Sequence, residues 1–168
     1  MLFRFTTPEQ YSAQLELALQ IRDKLTQTNE AVIEIRDVRK QVDELTTRLK
    51  SSPDSAKAKT VIESAKSLSD DLSTIEQALY QTKSKASEDP LNYPVRLNNK
   101  LAALLASIQE ADAQPTASEQ QVYEQLATSI NAEINKLKKV IDTRIPALNK
   151  MVRDQDIPAI AVKSTGTL

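Results

Sequence analysis

The sequence predicts an all-α protein, folded as an elongated up-down-up-down four-helix bundle with two long and two shorter helices. The 168 residues include a single Gly, aromatic residues make up 4% and hydrophobic residues 40%, a composition that favours helix over sheet. Four segments carry apolar residues at intervals of three and four, the spacing of one helix face. Pro and cap signals separate them, and short connections predict antiparallel neighbours.

The first predicted helix spans residues 8–50. Thr7 is the predicted N-cap, Pro8 suits the first helical position and Gln10 completes a capping box. At 1.5 Å per residue, this helix is roughly 60 Å long. Its apolar face is wider than the narrow apolar strip of a two-stranded coiled coil, which predicts that the helix packs in the core of a bundle. The face consists of Tyr11, Leu15, Ala18, Ile21, Leu25, Thr28, Val32, Ile35, Val38, Val42, Leu45 and Leu49, widened by Leu17, Leu19 and Ile33.

The second and third predicted helices span residues 54–82 and 95–111. Pro53 ends the first helix and starts the second, with Ser52 as its cap. Residues 83–94 form the longest irregular segment, because two prolines remove backbone donors and disfavour helix at the preceding residues. The apolar faces are Ala58, Val61, Ile62, Ala65, Leu68, Leu72, Ile75 and Leu79 in the second helix, and Leu97, Leu101, Leu104, Leu105, Ile108 and Ala111 in the third.

The fourth predicted helix spans residues 116–153. Thr116 and Glu119 form a second capping box at its start. Pro146 lies within the helix and predicts a kink or a break near residues 144–145. The apolar face consists of Val122, Leu126, Ile130, Ile134, Leu137, Ile141, Ile145, Leu148 and Val152.

These helices predict one domain, with residues 1–6 as an N-terminal extension, 7–158 as the helical bundle and 159–168 as a flexible tail. Because the first and fourth helices are longer than the others, both are expected to overhang at one end of the bundle. Such an overhang leaves apolar residues exposed, and exposed apolar patches mark interfaces. A homodimer that pairs the overhanging helices is one expectation that follows.

The composition argues against several classes of function. The chain has no Cys and no His, so zinc fingers, thiol nucleophiles and a Ser-His-Asp relay are excluded. The single Gly cannot build a Gly-rich phosphate loop. A net charge of −1 argues against a nucleic-acid partner, which usually requires a basic excess. We expect no cofactor and no metal.

The acidic and basic residues are predicted to lie on the solvent side of the helices. Most of the 23 Asp and Glu residues fall opposite the apolar faces, and the run from Glu34 to Lys40 is an example. No pair of acids is placed by the pattern as a catalytic pair, so no catalytic residue is predicted. The basic group on the fourth helix is interpreted as surface and consists of Lys136, Lys138, Lys139 and Arg144.

No membrane span and no export signal are expected from the sequence. The longest apolar run, residues 101–109, is about half of the roughly 18 residues that a membrane span needs. Residues 1–5 are too short and interrupted for the apolar region of a signal peptide.

Two polar segments are candidates for a specific role. The irregular segment combines rigid prolines, an aromatic ring and amides in a loop, where binding residues often lie. Either Leu91 and Tyr93 fill the bundle while Asp89 or Asn92 caps backbone groups, or the loop binds a ligand. The candidate site residues are Asp89, Asn92, Tyr93, Arg96, Asn98 and Asn99.

The second polar segment, residues 26–29, interrupts the apolar face halfway along the first helix. Because buried polar groups are costly unless they are paired, two interpretations are open. The segment either forms a buried polar layer that fixes the helix register, or only Thr28 faces inward while Asn29 lies in solvent.

Three stretches resemble a known family. The first is residues 19–37. The second is residues 89–104, which contain Asp-Pro-Leu-Asn-Tyr-Pro and then Leu-Asn-Asn-Lys-Leu, and the third is Pro115-Thr116 with the helix that ends at residues 145–149. Together they resemble the C-terminal helical region of bacterial sortilin-like BNR-repeat propeller proteins, which are often labelled glycosyl hydrolases. The resemblance covers residues 7–158. It implies a position downstream of a β-propeller, with any catalytic residues in the propeller, and it implies a periplasmic or extracellular location.

The expected function is that of a non-catalytic helical bundle, acting as an accessory, stabilising or protein-interaction domain. The expected partner is a protein, either an upstream propeller domain or another copy of this chain. The alternative is a small-ligand-binding or catalytic site near residues 89–99. A concave pocket with convergent polar groups would favour that alternative.

Overall fold

The computed structural model describes residues 6–51, 58–84, 92–111 and 113–156. Four helices account for most of them, and these residues contain no strand. The helices are α1 (Pro8–Lys50), α2 (Lys59–Leu79), α3 (Leu97–Glu110) and α4 (Ala117–Asp154). The predicted all-α four-helix bundle, with two long and two shorter helices, is confirmed.

The starts of the two long helices are fixed by reciprocal side-chain caps, as the sequence predicts. The hydroxyl of Thr7 accepts a hydrogen bond from the Gln10 amide at 3.3 Å, and the Gln10 side chain accepts from the Thr7 amide at 2.9 Å. Thr116 and Glu119 repeat the arrangement at 3.2 and 2.8 Å. Each pair satisfies two of the amide donors that a helix start leaves unpaired.

Other boundaries differ from the prediction. Helix α2 begins at Lys59 and ends at Leu79, within the predicted range, while the predicted cap Ser52 lies outside the described residues. Helix α3 begins two residues later than predicted, because Arg96 is extended, with φ −106° and ψ −178°. Of the kink or break predicted near residues 144–145, the break is wrong, since α4 continues through Pro146 to Asp154, and the kink stays a prediction. Pro146 is exposed, so its ring lies on the solvent side.

Helices α2 and α3 lie end to end along α1. On the second half of α1, Arg36 and Arg39 pair with Glu76 near the end of α2. On the first half, Asn29 pairs with Asn98 at the start of α3. Further towards its own start, α1 contacts the end of α3, where Gln14 donates to the carbonyl of Ile108. Both short helices therefore run antiparallel to α1.

Helix α4 runs parallel to α1 along its whole length. Near the start of both helices, the Tyr123 hydroxyl donates to the Gln20 carbonyl at 3.4 Å, and Lys24 donates to Asn131 at 2.8 Å. Near their ends, Val42 and Leu148 face the same groove. Except at the junction between α2 and α3, a cross-section of the rod therefore contains three helices: α1, α4, and either α2 or α3.

This topology differs from the predicted alternation in one step, because α3 runs in the same direction as α2. The expected overhang of the long helices is wrong for the same reason. Placed end to end, α2 covers the second half of α1 and α3 covers the first half, so neither half lacks a third helix. Burial of apolar surface along the full length of the long helices accounts for this arrangement.

The core is a continuous apolar strip between these three rows of helix. Thr28 is fully buried and its hydroxyl donates to the Lys24 carbonyl at 2.7 Å, while Asn29 is exposed. The interpretation that Thr28 alone faces inward is therefore confirmed. The buried apolar residues are Leu17, Ile21, Ala31, Val32, Ile35, Val42, Leu49, Ala58, Val61, Ala65, Leu68, Leu72, Ile75, Leu79, Leu101, Leu104, Ile108, Ile130, Ile134, Leu137 and Leu148.

Several residues predicted for the core are exposed instead. Leu15 is 60% exposed, although it belongs to the predicted apolar face of α1. Leu15 lies on the side of α1 that faces away from the buried residues Leu17, Ile21 and Ile35. The other exposed members of predicted apolar faces are Tyr11, Leu19, Ile33, Ala111 and Val122.

Candidate functional site

The candidate loop lies at the junction where α2 ends and α3 begins, beside the middle of α1. The buried side chain of Gln81 holds the two helix ends together. Its amide nitrogen donates to the Pro94 carbonyl at 2.7 Å, and its amide oxygen accepts from the Lys83 backbone amide at 3.1 Å. A single side chain thus satisfies one backbone acceptor and one backbone donor at the junction.

The carboxylate of Glu76, near the end of α2, is buried beside this junction. Glu76 is 3% exposed. Its two oxygens accept hydrogen bonds from Arg36 Nε and Arg39 Nη1, each at 2.7 Å. Charge-assisted bonds of this kind compensate for the loss of hydration of a buried acid. The Arg36 guanidinium also lies 5.1 Å from the centre of the Tyr80 ring, a distance at which cations are attracted to the ring face.

The charged side chains of residues 34–40 lie on the solvent side as predicted, with Arg36 51% and Arg39 34% exposed, but two of them also reach another helix. Arg36 and Arg39 bind the α2 carboxylate, which sequence reasoning missed. A signal was present, since Glu76 follows Leu72 at an interval of four and precedes Leu79 at an interval of three. An acid at these intervals lies on the apolar face of α2.

The predicted site residues that are described serve the junction itself. Asn98 donates to Asn29 at 2.7 Å and so ties α3 to α1. Asn99 accepts from the Arg96 backbone amide at 3.3 Å, which caps the start of α3. Tyr93 is half-buried, and the Lys83 ammonium lies 5.9 Å from its ring centre.

The remaining predicted site residues contribute less to this arrangement. Asn92 is exposed, whereas the start of α3 is capped by Asn99. Asp89 and Leu91 lie outside the described residues. The Nε atom of Arg96 is buried and has no hydrogen-bond partner in the described part of the chain. The structure brings Arg96, Asn98 and Asn99 together as supports of the helix start.

The basic group on α4 is partly used in ion pairs. Lys136 pairs with Glu133 at 2.7 Å on the surface. Arg144 reaches across to α2, where it donates to the Asp71 carboxylate and, at 3.1 Å, to the Ser67 hydroxyl. Arg144 therefore joins α4 to α2, in addition to lying at the surface as predicted.

The described ranges contain neither a cluster of metal-ligating side chains nor a helix that could span a membrane. No group of three or more acidic side chains there has the arrangement of a metal site. None of the described helices has an apolar stretch long enough to cross a membrane.

Comparison with known proteins finds no matching family, no similar curated protein and no solved structure with significant similarity. The relationship to sortilin-like BNR-repeat proteins stays a prediction from the sequence.

Proposed function

We propose that this chain is a non-catalytic, rod-shaped accessory domain that stabilises or binds a protein partner. The observation that carries the proposal is a line of exposed apolar side chains on the side of α1 opposite the core. We call this surface the outer stripe and define it as Tyr11, Leu15, Leu19 and Ile33. The proposed context, from the resemblance, is a sortilin-like BNR-repeat protein of the kind labelled glycosyl hydrolase.

The spacing of the outer stripe supports a binding role. Tyr11, Leu15 and Leu19 follow one another at intervals of four, so they lie along one side of the helix. Ile33 lies 18 residues after Leu15, which is about five full turns, and therefore on the same side. Apolar side chains exposed singly are common on protein surfaces, but exposed apolar residues aligned on one face mark interaction sites.

The shape of the rod supports a structural role. Helix α1 has 43 residues, a length of roughly 64 Å at 1.5 Å per residue. Because α4 is parallel to α1, the start of α1 and the end of α4 lie at opposite ends of the rod. This geometry suits a spacer between two other elements, and the ion pair of Glu76 with two arginines fixes the middle of the rod.

The proposed partner is a protein, either a propeller domain or a second copy of this chain. Leu15→Glu and Leu19→Glu place charge in the centre of the outer stripe. Gln27→Glu is the matched control, at an exposed position of α1 that lies about a third of a turn away from the stripe. Analytical ultracentrifugation measures self-association over a concentration range. Retention on an immobilised sortilin-like propeller measures binding to that domain.

We expect one of these two interactions, and we expect it to weaken at least tenfold in both stripe variants but not in the control. If neither interaction occurs, or if the stripe variants bind as the unsubstituted chain does, a binding role for this face is wrong. Hydrolysis of a glycoside by the purified chain, lost on substitution of a single acid, would contradict a non-catalytic domain.

The alternative function, a small-ligand or catalytic site near residues 89–99, has weaker support. Among its candidate residues, Asn98 and Asn99 are already hydrogen-bonded to Asn29 and to the Arg96 amide. The described candidate side chains left for a ligand are Asn92, Tyr93 and Arg96, whose Nε atom has no partner in the described part of the chain. A ligand screen that shifts the NMR signals of Tyr93 and Asn92 would favour this alternative.

A further inference from the structure

An apolar groove runs between the second halves of α1 and α4. It has a volume of about 270 Å³, and buried side chains from three helices form its floor. The described residues that line it are Val42, Leu68 and Leu148 in the floor, Val38, Leu45, Ile145 and Val152 in the half-buried walls, and Gln41, Arg48 and Asn149 at the exposed rim. The three helices therefore leave this part of the core incompletely covered.

The rim of the groove carries positive charge at one end. Among the described residues that line the groove, Arg48 is the one charged residue, and none is an acid. A guanidinium has five N–H donors in a fixed fork, so Arg48 can bind an anion in addition to the interaction that it already makes. The side-chain amides of Gln41 and Asn149 add further N–H donors to the rim. This set of donors is complementary to a single negative charge.

We propose that the groove binds the free anion of an unbranched aliphatic carboxylic acid of about eight carbons. The hydrocarbon chain lies along the apolar floor, and the carboxylate accepts two hydrogen bonds from the guanidinium of Arg48. The methyl end of the ligand lies towards Val38 and Ile145, at the other end of the groove. The proposal does not depend on the outer stripe, which lies on a different side of α1.

The dimensions of the groove determine the length of the ligand. A methylene group is similar in size to a water molecule, so the groove of about 270 Å³ holds about nine of them at about 30 Å³ each. Val38 and Arg48 are ten residues apart on α1, about 15 Å at 1.5 Å per residue. An extended eight-carbon chain is about 10 Å long, since each carbon–carbon bond is about 1.5 Å. The long side chain of Arg48 covers the remaining distance to the carboxylate.

The hydrocarbon supplies most of the affinity, and the carboxylate determines the orientation. Each CH₂ group strengthens binding about fourfold when it is fully removed from water. Because one side of this groove is open to solvent, we expect about twofold for each CH₂ group. The apolar walls accept the chain in either direction, whereas Arg48 lies at one end only and therefore selects one of them.

Titration with sodium octanoate, followed by methyl NMR, locates the site. We expect saturable shifts in the methyl signals of Val38, Leu45 and Ile145. The signals of Ile33 and Val122, which are exposed outside the groove, should not move. Sodium butanoate lacks four CH₂ groups and should bind at least about tenfold more weakly. Absence of saturable shifts, equal affinity for the two acids, or shifts confined to the outer stripe would overturn the proposal.

Removal of charge from the rim tests the position of the carboxylate. Arg48→Gln is compared with Lys50→Gln, which removes the same charge from the same last turn of α1 at an exposed position outside the groove. We expect Arg48→Gln to weaken octanoate binding at least about fivefold and to leave the binding of octanol unchanged. Lys50→Gln should change neither. Equal losses in the two variants, or equal losses of octanoate and octanol in Arg48→Gln, would overturn the proposal. Far-ultraviolet circular dichroism checks that both variants retain the fold.

Phospholipid vesicles distinguish a free acid from the acyl chain of a membrane lipid. We expect vesicles of phosphatidylcholine to leave the methyl signals of Val38 and Ile145 unchanged, because the groove has room for one short chain and its donors require a carboxylate. Vesicles that shift or broaden these signals would overturn the proposal, since the bound group would then be a lipid acyl chain.

Discussion

Glu76 of α2 and Arg39 of α1 form an ion pair of 2.7 Å in which the acid is almost completely buried. The second oxygen of the same carboxylate binds Arg36, also at 2.7 Å. This three-residue cluster lies where α2 gives way to α3. It fixes the position of α2 along α1 at the point where a continuous third helix is missing.

Replacement of Glu76 by Gln should lower the free energy of unfolding by about 1–2 kcal/mol, since the neutral amide loses two charge-assisted hydrogen bonds. The loss is smaller than for a fully buried ion pair because both arginines remain partly in water. Chemical denaturation by urea, followed by circular dichroism, measures the change. Glu63→Gln, at an exposed position of the same helix, should stay within about 0.5 kcal/mol. Equal effects at both positions would contradict a structural role for the cluster.

Two leucines separated by one residue on α1 should respond very differently to truncation. Leu17 is 4% exposed, whereas Leu15 is 60% exposed. Leu17→Ala should destabilise the fold by about 2–5 kcal/mol, because it leaves a cavity in the core. Leu15→Ala should change the stability by less than about 0.5 kcal/mol. A large loss for Leu15→Ala in the monomer would place this residue in the core and remove it from the outer stripe.

The start of α4 should be sensitive to acid. The Thr116 backbone amide, and then its hydroxyl, hold the pKa of the Glu119 carboxyl below its ordinary value. Because the pKa is lowered in the folded state, the stabilisation is present above the ordinary Glu pKa and is lost as the pH falls through the lowered value. Carbon-13 NMR titration should find this low pKa, and Thr116→Val should raise it. An unchanged pKa in Thr116→Val would show that the hydroxyl contributes nothing.

Removal of the proline within α4 should stabilise the protein. Pro146 lacks the amide that would bond one turn back, yet it lies at an exposed position of a continuous helix. Pro146→Ala should raise the free energy of unfolding by about 1–3 kcal/mol. Ala147→Gly, at the adjacent exposed position, should lower it by up to about 1 kcal/mol. A loss of stability in Pro146→Ala would mean that packing of α4 requires a bend at the proline.

The structural features that depend on residues close together in the sequence could be predicted from it. Thr7 with Gln10, and Thr116 with Glu119, located the starts of α1 and α4, because a capping box involves residues only three apart. The burial of Thr28 beside the exposed Asn29 was one of the two interpretations that helical spacing left open. The extended conformation of Arg96 was missed, since the two residues after Pro94 carry no local signal that prevents helix.

The topology could not be predicted in the same way. Apolar spacing determines which side of a helix is buried but not which helix covers it. The connection from Leu79 to Leu97 is long enough for α3 either to return beside α2 or to continue beyond it. Pairs such as Gln14 with Ile108, and Asn29 with Asn98, join residues that are distant in sequence. The same holds for Glu76, whose role depends on two arginines of another helix.

The distance between Lys59 at the start of α2 and Glu110 at the end of α3 tests the end-to-end arrangement most directly. Both residues are exposed. Because the chain has no Cys of its own, spin labels attach only to the introduced cysteines of Lys59→Cys and Glu110→Cys. Electron paramagnetic resonance should measure a distance of about 50 Å or more, since nearly the whole length of α1 separates them at 1.5 Å per residue. A distance below about 20 Å, as expected for neighbouring helices packed side by side, would contradict the rod.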